Sequence, residues 1–135
     1  SGRAIRAAET LGAELAYLGT AFIACKESIA DPAYKDMVVG ASAEDILPSK
    51  GITGVTANWL RKSLIAAGYD PANMPEDKKP NFENTQDNSK AWKNVWSAGQ
   101  GVGAVTAIEP VAQIVARLKA EYDFACTLPR FDMKE

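Results

Sequence analysis

The sequence predicts an α/β chain built around one helix–strand–helix passage, of the kind that holds a phosphate in a parallel α/β barrel. Three observations carry this. The apolar-periodic run Ala4, Ile5, Ala8 and Leu11 is followed by Gly12, which suits the left-handed position that closes a helix. Glu14 to Leu18 is too short for a helix and runs straight into Gly19-Thr20, which makes it a short buried strand. Gly19 lets a ligand approach the backbone, and the next amides (Thr20, Ala21, Phe22) would point outward from a new helix N-terminus. Unpaired N–H groups at the positive end of a helix dipole suit a phosphate. The plainer alternative is an ordinary helix–strand–turn whose glycine serves sterics alone.

Taken in order, Arg3 to Leu11 reads as an alanine-rich helix with Ser1 as a possible N-cap. The strand and the Gly19-Thr20 turn follow, then a second helical start through Phe22, Ile23 and Ala24. Asp31-Pro32 opens a third helix with Pro32 at its first position, running to Val39 and ending at Gly40. Asp45-Ile46-Leu47 is a short extended piece before Pro48, and Gly51 to Gly54 is a loop. Trp59, Leu60, Leu64 and Ile65 recur near helical spacing, so Ala57 to Ala67 reads as a helix closed by Gly68. Tyr69 to Ser89 carries Pro71, Pro75 and Pro80 among polar residues, a surface loop of about twenty residues. Lys90 to Trp96 resumes as a short helix with Trp92 and Trp96 one turn apart. Pro110, at a first helical position, opens a last helix with Val111, Ile114, Val115, Leu118 and Tyr122 on one face, before a short tail after Cys126. The division is therefore 1–30, a helix/strand unit with the phosphate turn; 31–69, helical; 70–89, the polar Pro-rich loop; and 90–135, a glycine-rich turn and the last helix.

One convincing strand cannot make a sheet, since its edges would stay unpaired. Either the chain is mostly helical or it belongs to something larger, and the second reading is preferred.

Composition narrows the chemistry. The chain has 135 residues, enough for one ordinary domain, and 47% apolar side chains to fill a moderate core. A net charge of −2 with no basic stripe argues against nucleic-acid binding. There is no histidine, so proton transfer near neutral pH falls to other side chains or to another part of a longer chain. Without histidine, and with Cys25 and Cys126 about a hundred residues apart, four zinc ligands cannot be assembled. Two isolated cysteines suit a reducing, cytoplasmic setting. No apolar run approaches the ~18 residues of a membrane span. No Ser, Cys or Lys has a visible activating partner for nucleophilic catalysis.

The second glycine cluster, Gly99-Gln100-Gly101-Val102-Gly103, offers flexible backbone and an amide side chain that can donate and accept. It does not follow a predicted strand, as a dinucleotide-binding fingerprint would. A loop needing positive φ is preferred here over direct ligand contact.

The segment from Gly2-Arg3-Ala4-Ile5 through Leu11-Gly12-Ala13-Glu14-Leu15-Ala16-Tyr17-Leu18-Gly19-Thr20-Ala21-Phe22 resembles the last βα units of the nitronate monooxygenase family, once called 2-nitropropane dioxygenases. Trp96-Ser97-Ala98-Gly99-Gln100, followed by Gly103, is similar to an Ala-Gly-Gln element of that family and of the related flavin-type enoyl-ACP reductases. Thr53-Gly54-Val55 and Asn58-Trp59-Leu60-Arg61 also resemble the family, and the likeness is weakest across 70–89. It implies the C-terminal part of a TIM (β/α)8 barrel, its last βα unit, with a mostly helical C-terminal extension. FMN would sit at the C-terminal face, its phosphate held after strands seven and eight.

By position, Tyr17, Leu18, Gly19 and Thr20 match the family's FMN segment, and Ser97, Gly99 and Gln100 match a second element near the flavin. The implied activity is oxidation of a small-molecule nitronate to a carbonyl compound and nitrite with oxygen. The resemblance places the family's catalytic histidine and first six or seven strands upstream, in members about twice this length. It thus implies a fragment, inactive alone, whose partner is the remainder of the barrel. Two alternatives stand beside it: an NAD(P)H-dependent quinone or enoyl-thioester reductase of the same fold, and a non-catalytic helical binding module.

Overall fold

The fold comes from a computed structural model that describes residues 1–75 and 95–128. The polar loop expected at 70–89 is therefore described only to Pro75. Most of the helix expected at Lys90–Trp96, including Trp92, lies outside the described residues, as does the tail from 129 onward; Val95 and Trp96 themselves are not helical.

Helix α1 spans Gly2–Thr10, and the Ser1 side chain caps it by accepting from the Ala4 amide. It closes as the sequence predicts. Gly12 takes φ +96°, the Gly12 amide donates to Glu9 O (2.9 Å) and the Ala13 amide donates to Ala8 O (3.0 Å). That bond pair is the Schellman closure, which needs a residue at ease with positive φ.

The expected buried strand Glu14–Leu18 is corrected. The segment has no ladder partner among the described residues, and Leu15 (91%) and Tyr17 (100%) are exposed. A strand exists through its neighbours' hydrogen bonds, and nothing described here supplies them. Helix α2 then spans Thr20–Ile23, one turn long.

Helix α3 spans Pro32–Val39 as expected, with Asp31 accepting from the Ala33 amide and Pro32 in the first turn. Its Lys35 is buried, and Nζ donates to Cys25 O (2.8 Å) and Ser28 O (2.7 Å), holding that turn against the helix.

A 3₁₀ turn at Ala43–Asp45, capped reciprocally by Ser42 and Asp45, leads into β1, Ile46–Ser49. The strand thus runs through Pro48 instead of stopping before it. Strand β2, Ala57–Leu60, pairs with β1 antiparallel, Ile46 opposite Leu60 and Ser49 opposite Ala57. Helix α4 is Arg61–Ala66. The expected helix Ala57–Ala67 is therefore half strand. Strand alternation explains why: Trp59 joins Ile52, Leu64 and Val95, while its neighbour Leu60 joins Ala24, Val38, Ile46 and Val102. The other edge of β2 takes irregular chain, with the Leu60 amide donating to Trp96 O (2.9 Å) and Trp59 bridged to Ser97. Gly68 closes α4 at φ +83°.

The second glycine cluster forms a 3₁₀ turn, Gln100–Ala104. Helix α5 spans Val111–Thr127, with Pro110 just before it, one position earlier than expected. Pro110 offers no capping side chain; the Glu27 carboxylate accepts from the Val111 amide through both oxygens (3.1 and 3.0 Å). Ile114 and Leu118 pack with Cys25 in a third cluster, while Val115, expected on that face, is exposed. Helices α1 and α5 lie against each other at Gly2, whose amide donates to Glu121 Oε2 (2.7 Å). The result is an α/β arrangement, helices around a two-stranded antiparallel sheet.

Candidate functional site

Between α1, α5, the extended segment before α2 and the Gln100–Ala104 turn lies a cavity of about 440 Å³. That volume falls within the roughly 300–1,000 Å³ of small-molecule sites. Tyr17, Leu18, Gly19 and Thr20 all line it. From the second cluster Gly101 lines it, whereas Ser97, Gly99 and Gln100 do not.

The two glycine clusters meet all the same. The Gly99 amide donates to Thr20 Oγ1 at 2.8 Å across 79 positions of sequence. A Cβ on Gly99 would sit 3.3 Å from that oxygen, so glycine lets the loop close onto the hydroxyl. A threonine hydroxyl has one hydrogen and two acceptor lone pairs. With the Gly99 N–H on one lone pair, the Thr20 hydrogen remains to donate. Ser97 instead offers its carbonyl to Tyr34 Oη (2.5 Å), and Gln100 is exposed.

Gly19 and Gly101 have no internal reason to be glycine. Gly19 has φ −108°, and a Cβ on either residue meets nothing within 4 Å. The positive φ expected of the second cluster is not found; the left-handed glycines are Gly12, Gly54 and Gly68. Both unhindered glycines line the same cavity. The outward amides expected at α2 need one correction as well, because the Phe22 amide donates to Gly19 O (2.9 Å). Thr20 and Ala21 occupy the first turn, where a helix supplies no acceptor of its own. A one-turn helix has little macrodipole, so any anion here would rest on local N–H and O–H groups.

Two residues of this region were not singled out from sequence. Arg117 lines the cavity from α5, held by Glu109 (2.9 Å) and Glu121 (3.6 Å), so its charge is matched. A cation between Ile114 and Leu118, on the flank of an apolar face, was the available signal. Tyr34 stacks on Trp96, centroids 5.1 Å apart and planes 11° from parallel, and no sequence spacing announces that contact.

Beyond the cavity, α1 and α5 are clasped by charge. Tyr122 Oη donates to Glu9 Oε2 (2.7 Å), and Arg6 Nη1 pairs with the same oxygen (2.8 Å). The Tyr122 hydroxyl first, then Arg6, hold the Glu9 carboxyl below its ordinary 4.5. In return the Tyr122 phenol is pushed up to about 12. Among the described residues no group of three or more His, Cys, Asp or Glu is placed to hold a metal, and no helix is long and apolar enough to cross a membrane.

A nitronate monooxygenase family model matches residues 1–121. The nitronate monooxygenase of Paraburkholderia phytofirmans is 33% identical over 127 residues, covering 89% of this chain and 35% of that protein. That of Pseudomonas aeruginosa is 30% identical over 132 residues, covering 89% and 36%. FabK from Thermotoga maritima superposes with a TM-score of 0.66 at 26% identity, over 93% of this chain and 42% of that one. The chain spans about a third of the length of these curated relatives, less than the half expected from the resemblance. By the family model and the curated relatives together, the chain belongs to the nitronate monooxygenase family.

Proposed function

We propose that these residues are the C-terminal part of an FMN-dependent oxidoreductase, and that the complete protein oxidises nitronates to carbonyl compound and nitrite with oxygen. The observation that carries the reading is the Thr20 hydroxyl, polarised by the Gly99 amide so that its hydrogen remains to be donated. Beside it lie two glycines with open space where a Cβ would stand. Backbone that a ligand can approach closely, with donors and no acceptor demanded, fits the oxygens of a phosphate monoester.

On this reading Gly19 and Thr20 hold the phosphate, Tyr17 and Leu18 border the flavin, and the Ser97–Gln100 loop fixes the Thr20 side chain. Bound FMN supplies the redox chemistry, and the chain supplies orientation and electrostatics. Upstream polypeptide completes a TIM barrel on this reading and covers the unpaired Glu14–Leu18 segment. The exposed Leu15 and Tyr17 support this, since a self-standing module would leave that apolar surface uncovered.

The test uses the full-length protein, its flavin content and Gly19→Val. The expected outcome is one FMN per chain, turnover of a nitronate, and flavin affinity at least tenfold weaker in the variant. Unchanged affinity in Gly19→Val counts against the site, and a full-length protein that folds without taking up flavin counts against the whole reading. The superposition on FabK favours a second reading, reduction of quinones or enoyl thioesters by NAD(P)H. Turnover of NADH with a quinone or an enoyl thioester, in place of a nitronate with oxygen, would select it.

A further inference from the structure

We infer that Tyr34 is a positioning residue for the Thr20 hydroxyl, acting through the loop Ser97–Gly99; the inference rests on the phosphate reading above. Residues 96–99 are irregular chain, yet they are tied to four different elements. The Trp96 amide donates to Ser63 Oγ on α4 (2.6 Å), and Trp96 O accepts from the Leu60 amide of β2 (2.9 Å). Tyr34 Oη on α3 donates to Ser97 O, and the Gly99 amide donates to Thr20 Oγ1 on α2.

The order along the chain gives each tie its role. Ser63 and Leu60 fix the backbone of Trp96, and the bridge to Trp59 holds Ser97 against β2. Tyr34 adds a side-chain bond to the Ser97 carbonyl, two residues before the Gly99 amide. Trp96 stacks on the Tyr34 ring, so one side chain grips the loop both by its face and by its hydroxyl. Without the hydroxyl the Ser97 peptide is held only from the β2 side by its bridge to Trp59, and the amide two residues on loses part of its aim at Thr20. Without that amide the threonine hydrogen is no longer biased toward the cavity, because both lone pairs and the rotor are free again.

Tyr34→Phe separates these roles, since it keeps the ring and the stack and removes one O–H donor. The experiment measures FMN and riboflavin binding to the full-length protein, in wild type, Tyr34→Phe, Thr20→Val and the double variant. The two ligands differ by the phosphate. The expected result is FMN affinity about two- to tenfold weaker in Tyr34→Phe, the range of one neutral hydrogen bond, with riboflavin affinity unchanged. In the Thr20→Val background Tyr34→Phe should have no further effect on FMN. Equal weakening of both ligands would mean general loosening and would overturn the inference, as would unchanged FMN affinity. A wild type that binds the two ligands equally would instead overturn the phosphate reading, and this inference with it.

Discussion

Replacing Gly2 with alanine adds one methyl group where α1 meets α5, and the geometry sets the sign of the effect. The new Cβ would lie 2.1 Å from Leu118 O, 2.4 Å from the Tyr122 nitrogen and 2.7 Å from Glu121 Cβ, all inside the 3.0 Å that real Cβ atoms respect. The first two atoms are backbone of a 17-residue helix, so no side chain can swing away. The helices must part by nearly an ångström at this end, which draws the Gly2 amide off Glu121 Oε2. Overpacking of this kind costs about 1–3 kcal/mol, and loss of a partly exposed bond to a carboxylate adds about 1 kcal/mol. Alanine returns at most ~1 kcal/mol of helix propensity, and less at the first helical position. The expected net loss is about 1–3 kcal/mol, read by equilibrium urea unfolding of the two proteins side by side. Gly101→Ala is the control: its Cβ meets nothing within 4 Å, and it should stay within about 0.5 kcal/mol of wild type. A Gly2→Ala protein as stable as wild type would refute the close approach of the two helices.

Three further outcomes follow from the same framework. Lys35→Met leaves the Cys25 and Ser28 carbonyls without their buried donor and should cost about 1–3 kcal/mol. Urea unfolding reads the loss, and faster hydrogen exchange of the Lys26 amide, bonded to Glu109 O, locates it. Glu27→Ala uncaps α5 and should cost about 0.5–2 kcal/mol, while Glu27→Gln, which keeps an acceptor, should cost less; exchange at the Val111 amide distinguishes the two. The α1–α5 clasp should depend on pH from both sides. Glu9 is depressed, so its contribution is present above 4.5 and is lost as pH falls through the lower folded value. Tyr122 is raised, so its contribution is present below 10.0 and is lost as pH rises through about 12. Unfolding curves across pH should show Glu9→Gln reducing the acid limb and Tyr122→Phe the alkaline one.

What the sequence disclosed was local. Ser1, Gly12, Asp31-Pro32, Gly40 and Gly68 mark helix ends through their own backbone chemistry, and the structure places those ends where they point. Strands depend on residues elsewhere, so the strand reading of Glu14–Leu18 and the helix reading of Ala57–Leu60 both failed, whereas the extended piece expected at Asp45–Leu47 is found from Ile46 on, in β1. Glu14–Leu18 has strand character but no described partner, whereas Ala57–Leu60 shares helical spacing with Leu64 until Ile46–Ser49 pairs with it. Gly19 and Thr20 were legible as a turn, but the Gly99 bond that polarises Thr20 spans 79 positions, beyond any window of periodicity. The glycine-rich cluster misled because glycine has two uses. Here it serves close approach and open space, not positive φ.

The helix pair also bears on the order in which this chain assembles. Its bonds join positions 119 and 113 apart, and the Glu27 cap spans 84, whereas the β1–β2 hairpin closes over a short turn. Stretching a closure from roughly ten positions to over a hundred adds about 2 kcal/mol of chain entropy. The hairpin and α4 can therefore form early, and α1 can dock on α5 only once the intervening clusters have shortened the path between them. The cavity has a wall from each of those helices, so within these residues it is the last feature to come into being. A ligand held there would bind after folding is nearly complete and would slow unfolding without hastening its approach.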